Sequence, residues 1–224
     1  MLFRSLINRY RSSGWLSALG RGVVYRTGDE LSAFGALSSY NQQLGKQLRV
    51  AAHSALELWG VNHYVPMGKP QTMVTSSKDA VPKWTKLNVF DREFKSFSTD
   101  IFTSPQTTTI SFRDWQLLVS TPEQAFMECL LLAPLHYNYQ DLYYIMEQLT
   151  TLRPEMAQAL LHSTNNYRVK RLFLYMAEKA RHYWLNEIDV QSVDLGTHKL
   201  QLTKGGIYAS KYKMTVPKEL SEYE

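Results

Sequence analysis

The sequence is poor in features that mark whole classes of protein. It has one cysteine, Cys129, in 224 residues, so no intrachain disulfide can form and a reducing compartment fits. No apolar run approaches the roughly 20 residues that a membrane span needs. The basic N-terminus is not followed by the apolar core of about 7–15 residues that a secretory signal carries. A soluble, cytoplasmic protein with no membrane contact is expected. Gly-x-Ser-x-Gly, His-Glu-x-x-His and Cys-x-x-Cys are all missing. Lys204-Gly205-Gly206 lacks the glycine spacing and the Lys-Ser/Thr ending of a phosphate loop, so it reads as a turn. Neither catalysis nor a cofactor is expected.

A local absence says more. Leu2 to Arg26 contains five arginines and not one aspartate or glutamate. The whole chain has 25 Lys+Arg against 20 Asp+Glu, so without those five arginines the remainder is balanced. All of the excess positive charge sits at one end, the electrostatic footprint of a polyanion partner, most simply nucleic acid.

The pattern within that stretch shows how the charge is mounted. Leu2, Leu6, Ile7 and Tyr10 recur at helical spacing, and Arg4, Asn8 and Arg11 share the opposite side. Ser12-Ser13-Gly14 stops the helix, with Gly14 as a left-handed cap. Trp15–Leu19 and Val23–Arg26 read as strands, with Gly20-Arg21-Gly22 as a tight turn between them. A short basic helix followed by a hairpin with a basic tip is the second half of a winged helix-turn-helix. Arg and Asn make two-pronged contacts with guanine and adenine in the major groove, and an arginine at a hairpin tip reaches a phosphate or a narrow minor groove. The candidate duplex-binding residues are Arg4, Asn8, Arg9, Arg11, Arg21 and Arg26. An ordinary amphipathic helix with surface arginines gives the same pattern, so the alternative is an interaction module that does not bind DNA.

Further along, Asp29 is expected to cap a helix over Leu31–Gln43 that Gly45 ends. Leu48–Ala51 reads as a strand, and Ser54 as the cap of a helix through Trp59. His53 and Glu57 stand four apart, a spacing that suits a metal, but no second strong ligand is nearby and a structural histidine is the reading preferred. Tyr64–Ser76, with Pro66 and Pro70, reads as extended edge structure. Leu87–Phe94, Thr107–Arg113 and Trp115–Ser120 are candidate strands. Asp91 and Glu93 would share a solvated strand face rather than form a carboxylate site. Thr121-Pro122-Glu123 is a clean helix start, and Ala125–Ala133, which includes Cys129, reads as the most buried helix. Helices follow over Asn138–Thr151, Glu155–Ser163 and Tyr167–Leu185, then a hairpin of Asp194–Leu202 and Ile207–Met214. A second set of cations, Arg168, Lys170, Arg171, Lys179 and Arg181 with Lys204, Lys211 and Lys213, is either a solvated helix face or a basic surface for RNA, a nucleotide or an acidic partner.

The run Leu6 to Asp29 resembles the winged-helix region of the AbiEi-type antitoxins, transcriptional regulators of type IV toxin–antitoxin (abortive infection) systems. His53–Gly60, Leu149–Pro154, Val169–Glu178 and Lys204–Pro217 are similar to later stretches of that family. The resemblance implies a repressor of its own promoter, bound to inverted repeats in double-stranded DNA. It also implies a second domain that counteracts a nucleotidyltransferase-like toxin without a stable complex; the second set of cations would be its antitoxic surface. In the family two helices precede the recognition helix, whereas here Met1 opens directly on it. The expected architecture is α+β. A partial winged helix with its connecting helix occupies residues 1–49. A mixed α/β domain with a C-terminal helical group and final hairpin occupies residues 50–224.

Overall fold

The computed structural model describes residues 2–20, 23–61 and 68–222, with side chains from Ser5 onward. The fold is α+β. It opens with helix α1 (Leu2–Ser12), which ends at Gly14 with φ +79°. Strands β1 (Leu16–Gly20) and β2 (Val23–Arg26) pair antiparallel, with Leu16 opposite Arg26 and a register shift between Ala18 and Gly20. Helix α2 (Ala33–Leu44) follows and stops at Gly45 in the left-handed conformation.

Asp29 does not cap α2. Leu31 bridges to Phe90, so the chain stays extended until Ser32, whose hydroxyl accepts from the Gly35 N–H. Asp91, far away in sequence, supplies a second cap: its Oδ1 accepts from the Ala33 N–H at 2.7 Å. Asp91 stays exposed, as expected, but lies outside any strand and satisfies an orphan donor of the first helical turn.

A five-stranded sheet forms the middle of the molecule, in the order β5-β4-β3-β7-β6. Its members are β3 (Arg49–Val50), β4 (Gln71–Thr75), β5 (Glu93–Ser96), β6 (Thr107–Phe112) and β7 (Trp115–Ser120). β4 is internal, paired to β3 on one side and β5 on the other, so the expected edge assignment is corrected for Gln71–Thr75, while Tyr64–Met67 lie outside the described residues. Pro70 lies just before the strand, which leaves every N–H of Gln71–Thr75 free to pair. The strand expected over Leu87–Phe94 shrinks to Glu93–Ser96, because Phe90 is buried through its bridge to Leu31 rather than through a ladder.

Helix α3 (Ala52–Leu58) packs on α4 (Pro122–Leu132). Ser54 is not a cap. It is fully buried and ties α3 to β4, accepting from the Met73 N–H at 2.9 Å and donating to the Gln71 carbonyl at 3.3 Å. Thr121 caps α4, and every residue from Glu123 to Leu130 is buried. Helices α5 (Tyr139–Gln148), α6 (Pro154–Ser163) and α7 (Tyr167–Lys179) gather around α4. α7 stops at Lys179 rather than Leu185, since Arg181 turns to φ +56° and a short 3₁₀ helix follows over Tyr183–Glu187.

The chain ends in β8 (Leu200–Gln201), β9 (Ile207–Ala209), β10 (Met214–Val216) and α8 (Lys218–Glu222). The expected hairpin of β8 and β9 does not form: β10 lies between them, parallel to β8 and antiparallel to β9. Gly206 is required there, because a Cβ would lie 2.0 Å from the Val216 carbonyl oxygen.

Candidate nucleic-acid interface

α1 presents Asn8, Arg9 and Arg11 to solvent. The hydroxyls of Ser12 and Ser13 donate to the Arg9 and Tyr10 carbonyls, closing the helix end without spending either arginine. Arg9 and Arg11 stand in the last turn, where the helix dipole favours cations. The Trp15 N–H donates to the Tyr10 carbonyl at 2.9 Å, which sets the end of α1 against the base of the hairpin. Leu16 pairs with Arg26 at that base, so Arg26 joins the same end as Arg9 and Arg11. The Arg26 side chain is 73% exposed and its nearest acid, Asp29, is 4.0 Å away and itself exposed, a contact too wet to cancel the charge. The Arg4 side chain and Arg21 lie outside the described residues.

α1 is held from one side. Ile7 lines an apolar cleft of about 490 Å³ shared with Leu19, Val23, Tyr25, Tyr40 and Trp84. Leu6 and Tyr10 remain 47% and 45% exposed.

The second set of cations divides in two. Arg168 donates to the Leu131 and Ala133 carbonyls, both at 2.8 Å. Lys170 and Arg171 are buried. The Lys170 ammonium reaches the Asp194 carbonyl at 3.1 Å; burial lowers its pKa, with the Asp194 charge opposing. The Arg171 guanidinium donates to the carbonyls of Leu195, His198 and Lys213 at 2.7, 2.9 and 3.0 Å. Lys179 donates to the Ser221 carbonyl and lies over the Tyr143 ring. These four are therefore tethers between helix and chain rather than a basic surface. Arg181, Lys204, Lys211 and Lys213 do stay exposed, with Lys211 bonded to Glu178.

His53 and Glu57 are each engaged elsewhere. His53 Nδ1 lies 2.6 Å from the Tyr137 hydroxyl, and burial lowers its pKa although Glu57 opposes. Glu57 is paired with Arg92 through both guanidinium nitrogens. Among the described residues no group of three or more His, Cys, Asp and Glu is placed to hold a metal. Burial raises the Cys129 thiol well above its ordinary range, so it stays protonated in the core.

Two buried ionic groups were not anticipated from the sequence. Arg49 and Glu128 meet at 2.8 Å inside the core, with Ser120, Thr99 and Gln124 completing their hydrogen bonds and the Ala52 N–H donating to the other Glu128 oxygen. Glu123 receives the Arg153 side chain in a two-pronged pair plus the Arg153 backbone N–H. Burial works to raise the Glu123 carboxyl, but the Arg153 hydrogen bonds overcome it and hold the pKa below the ordinary value. In Ala125–Ala133 only Glu128 interrupts an apolar run, the single hint that sequence offered.

A basic helix thus packs against a hairpin on a mixed α+β body. The family comparisons supply the class. Residues 3–67 match the transcriptional regulator, AbiEi antitoxin N-terminal domain, and residues 70–217 match the transcriptional regulator, AbiEi antitoxin, type IV TA system. The chain belongs to the AbiEi antitoxin family of transcriptional regulators, which is not a family of enzymes. No curated protein matches. Among solved structures, the RV2827C protein from Mycobacterium tuberculosis is similar in fold, with a TM-score of 0.62 at 12% identity over 97% of this chain and 80% of that one. No helix among the described residues is long and apolar enough to cross a membrane.

Proposed function

We propose that this antitoxin-family regulator represses its own promoter, with α1 in the major groove of an inverted repeat and the β1–β2 hairpin as the wing. Residues 1–49 form the DNA-reading part. Residues 50–224 counteract a nucleotidyltransferase-like toxin without a lasting complex, using the cations left exposed there, Arg181, Lys204, Lys211 and Lys213. Such a regulator works in the cytoplasm, where its operator is. The observation that carries the proposal is the outward display of Asn8, Arg9, Arg11 and Arg26 in a stretch with no acid. Fixed cations on a surface without counter-charges attract a phosphate backbone, and Arg with Asn supplies base-edge readers.

The test is a gel shift on duplexes spanning the inverted repeats beside the gene. A specific shift that Arg9→Ala/Arg11→Ala weakens supports the reading. A second reading, an antitoxin module without DNA binding, is favoured by the half-exposed Leu6 and Tyr10 on α1. It is selected by absence of any shift while the chain still rescues cells from the toxin.

A further inference from the structure

Another acid-free stretch lies at the other end of the chain. From Leu195 to Pro217 there are four lysines, Lys199, Lys204, Lys211 and Lys213, and no aspartate or glutamate. The structure folds this stretch into the terminal three-stranded sheet. Its pairing register sorts the side chains by face. Met214 pairs with both Leu200 and Ala209, and Met214 is fully buried, so that row faces the body. Thr215 pairs with both Gln201 and Tyr208, which puts those three in one row on the opposite, outer face. Gln201 is exposed and Tyr208 is 45% exposed. Lys199, two residues before Gln201, lies over the Tyr208 ring at 5.5 Å. Lys213, in the turn that enters β10 at φ +48°, is exposed as well.

The buried cations of α7 hold this face in place. Arg171 grips the His198 and Lys213 carbonyls, the residue before Lys199 and Lys213 itself, while Lys170 grips Asp194. The outer face is thus an anchored platform with an aromatic ring, an amide, a hydroxyl and ammonium groups around it.

We propose that the outer face of the terminal sheet binds single-stranded nucleic acid. Tyr208 offers a ring on which a base stacks, Gln201 and Thr215 offer hydrogen bonds to base edges or sugar, and Lys199 and Lys213 meet the phosphates. Three strands about 4.8 Å apart give a face about 10 Å wide, room for two or three bases, as in other sheet platforms. A duplex hides its base faces, and an acidic peptide has no use for the exposed ring, so an unpaired strand fits best. The site is separate from α1 and does not depend on α1 docking to a duplex.

The experiment uses the full chain and fluorescein-labelled U12 RNA, followed by anisotropy across a salt series, with dT12 as the DNA arm. Binding of U12 is expected to weaken about tenfold in Lys199→Gln/Tyr208→Ala, the order of one lost base stack plus one phosphate contact. Arg9→Ala/Arg11→Ala is expected to leave it unchanged. Gln201→Glu, an exposed single change, serves as a second variant with the same expected direction should the double variant not fold. Equal affinity for dT12 points to bases and phosphates alone, tighter U12 binding to use of the 2′-hydroxyl, and both support the site. Wild-type affinity in the sheet variants, loss of U12 binding in the α1 variant, or displacement of U12 by poly-glutamate at equal charge overturns it.

Discussion

α1 and α7 both carry clustered cations on an amphipathic helix, and the fold treats them in opposite ways. On α1, Arg9 and Arg11 point to water, and the helix end is closed by serine hydroxyls. On α7, Arg168, Lys170 and Arg171 turn inward, each onto backbone carbonyls of segments remote in sequence. The difference lies in what faces the helix. Across from α7 run the loop Asp194–His198, whose Asp194, Leu195 and His198 carbonyls take side-chain donors from the helix, and Lys213, whose carbonyl accepts from the Leu200 N–H as well. A guanidinium with five N–H groups serves several carbonyls at once. Among the described residues no such carbonyl takes the Arg9 or Arg11 side chain. A basic run therefore marks a nucleic-acid surface only when the neighbouring backbone has no claim on it.

The comparison can be pressed hardest in the core, where the tether logic reaches its limit. Glu128→Ala leaves Arg49 buried without its counter-charge and is expected to cost about 3–5 kcal/mol in chemical denaturation. An effect under about 1 kcal/mol would show that water replaces the carboxylate. Arg171→Ala strips the Leu195 and His198 carbonyls of their donor, while the Lys213 carbonyl keeps the Leu200 N–H, and is expected to cost about 3 kcal/mol. At about 2–4 °C per kcal/mol for a chain of this size, that lowers Tm on the order of 6–12 °C. If Arg171→Ala melted like the native chain, α7 would belong with α1 after all.

Arg153→Ala tests an intermediate case, a half-exposed cation on a buried carboxylate. The expected cost at pH 7 is about 1.5–3 kcal/mol. Because the folded-state pKa of Glu123 lies below its ordinary 4.5, the native pair contributes fully above that pH and is lost as pH falls through the folded value. The gap between native and variant should therefore be widest at neutral pH and close in acid; a gap that grows in acid would contradict the assignment. The smallest stability effect is expected at α1. Arg9→Ala/Arg11→Ala should change stability by under about 0.5 kcal/mol, yet lower the salt slope of operator binding by about 2. An unchanged slope would mean that neither arginine meets a phosphate.

Much of the fold was legible because local chemistry and final structure agree. Val23–Arg26 and Trp115–Ser120 are rich in β-branched and aromatic residues, and both strands form over those residues. Thr121-Pro122 marks the start of α4 by itself, since the cap needs only the three residues that follow. Other signals pointed to the right residue in the wrong role. Asp29 and Ser54 both look like caps, but the N–H of Ala33 is taken by Asp91, and Ser54 is drawn between α3 and β4. The terminal sheet went astray for a related reason: the Gly205-Gly206 turn is visible, but whether the next strand pairs with β8 or slips β10 between them depends on contacts with α7.

Sequence by itself determined where the charge lies, which stretches lack acids, where α4 starts, and which family the runs resemble, because each is written in residue type and short spacing. Tertiary structure alone decided which cations remain available, since the long stems of Lys and Arg reach either way. Their direction is set by unsatisfied carbonyls 24 or more residues distant, such as those that take Lys170 and Arg171 out of solvent while Arg9 and Arg11 stay in it.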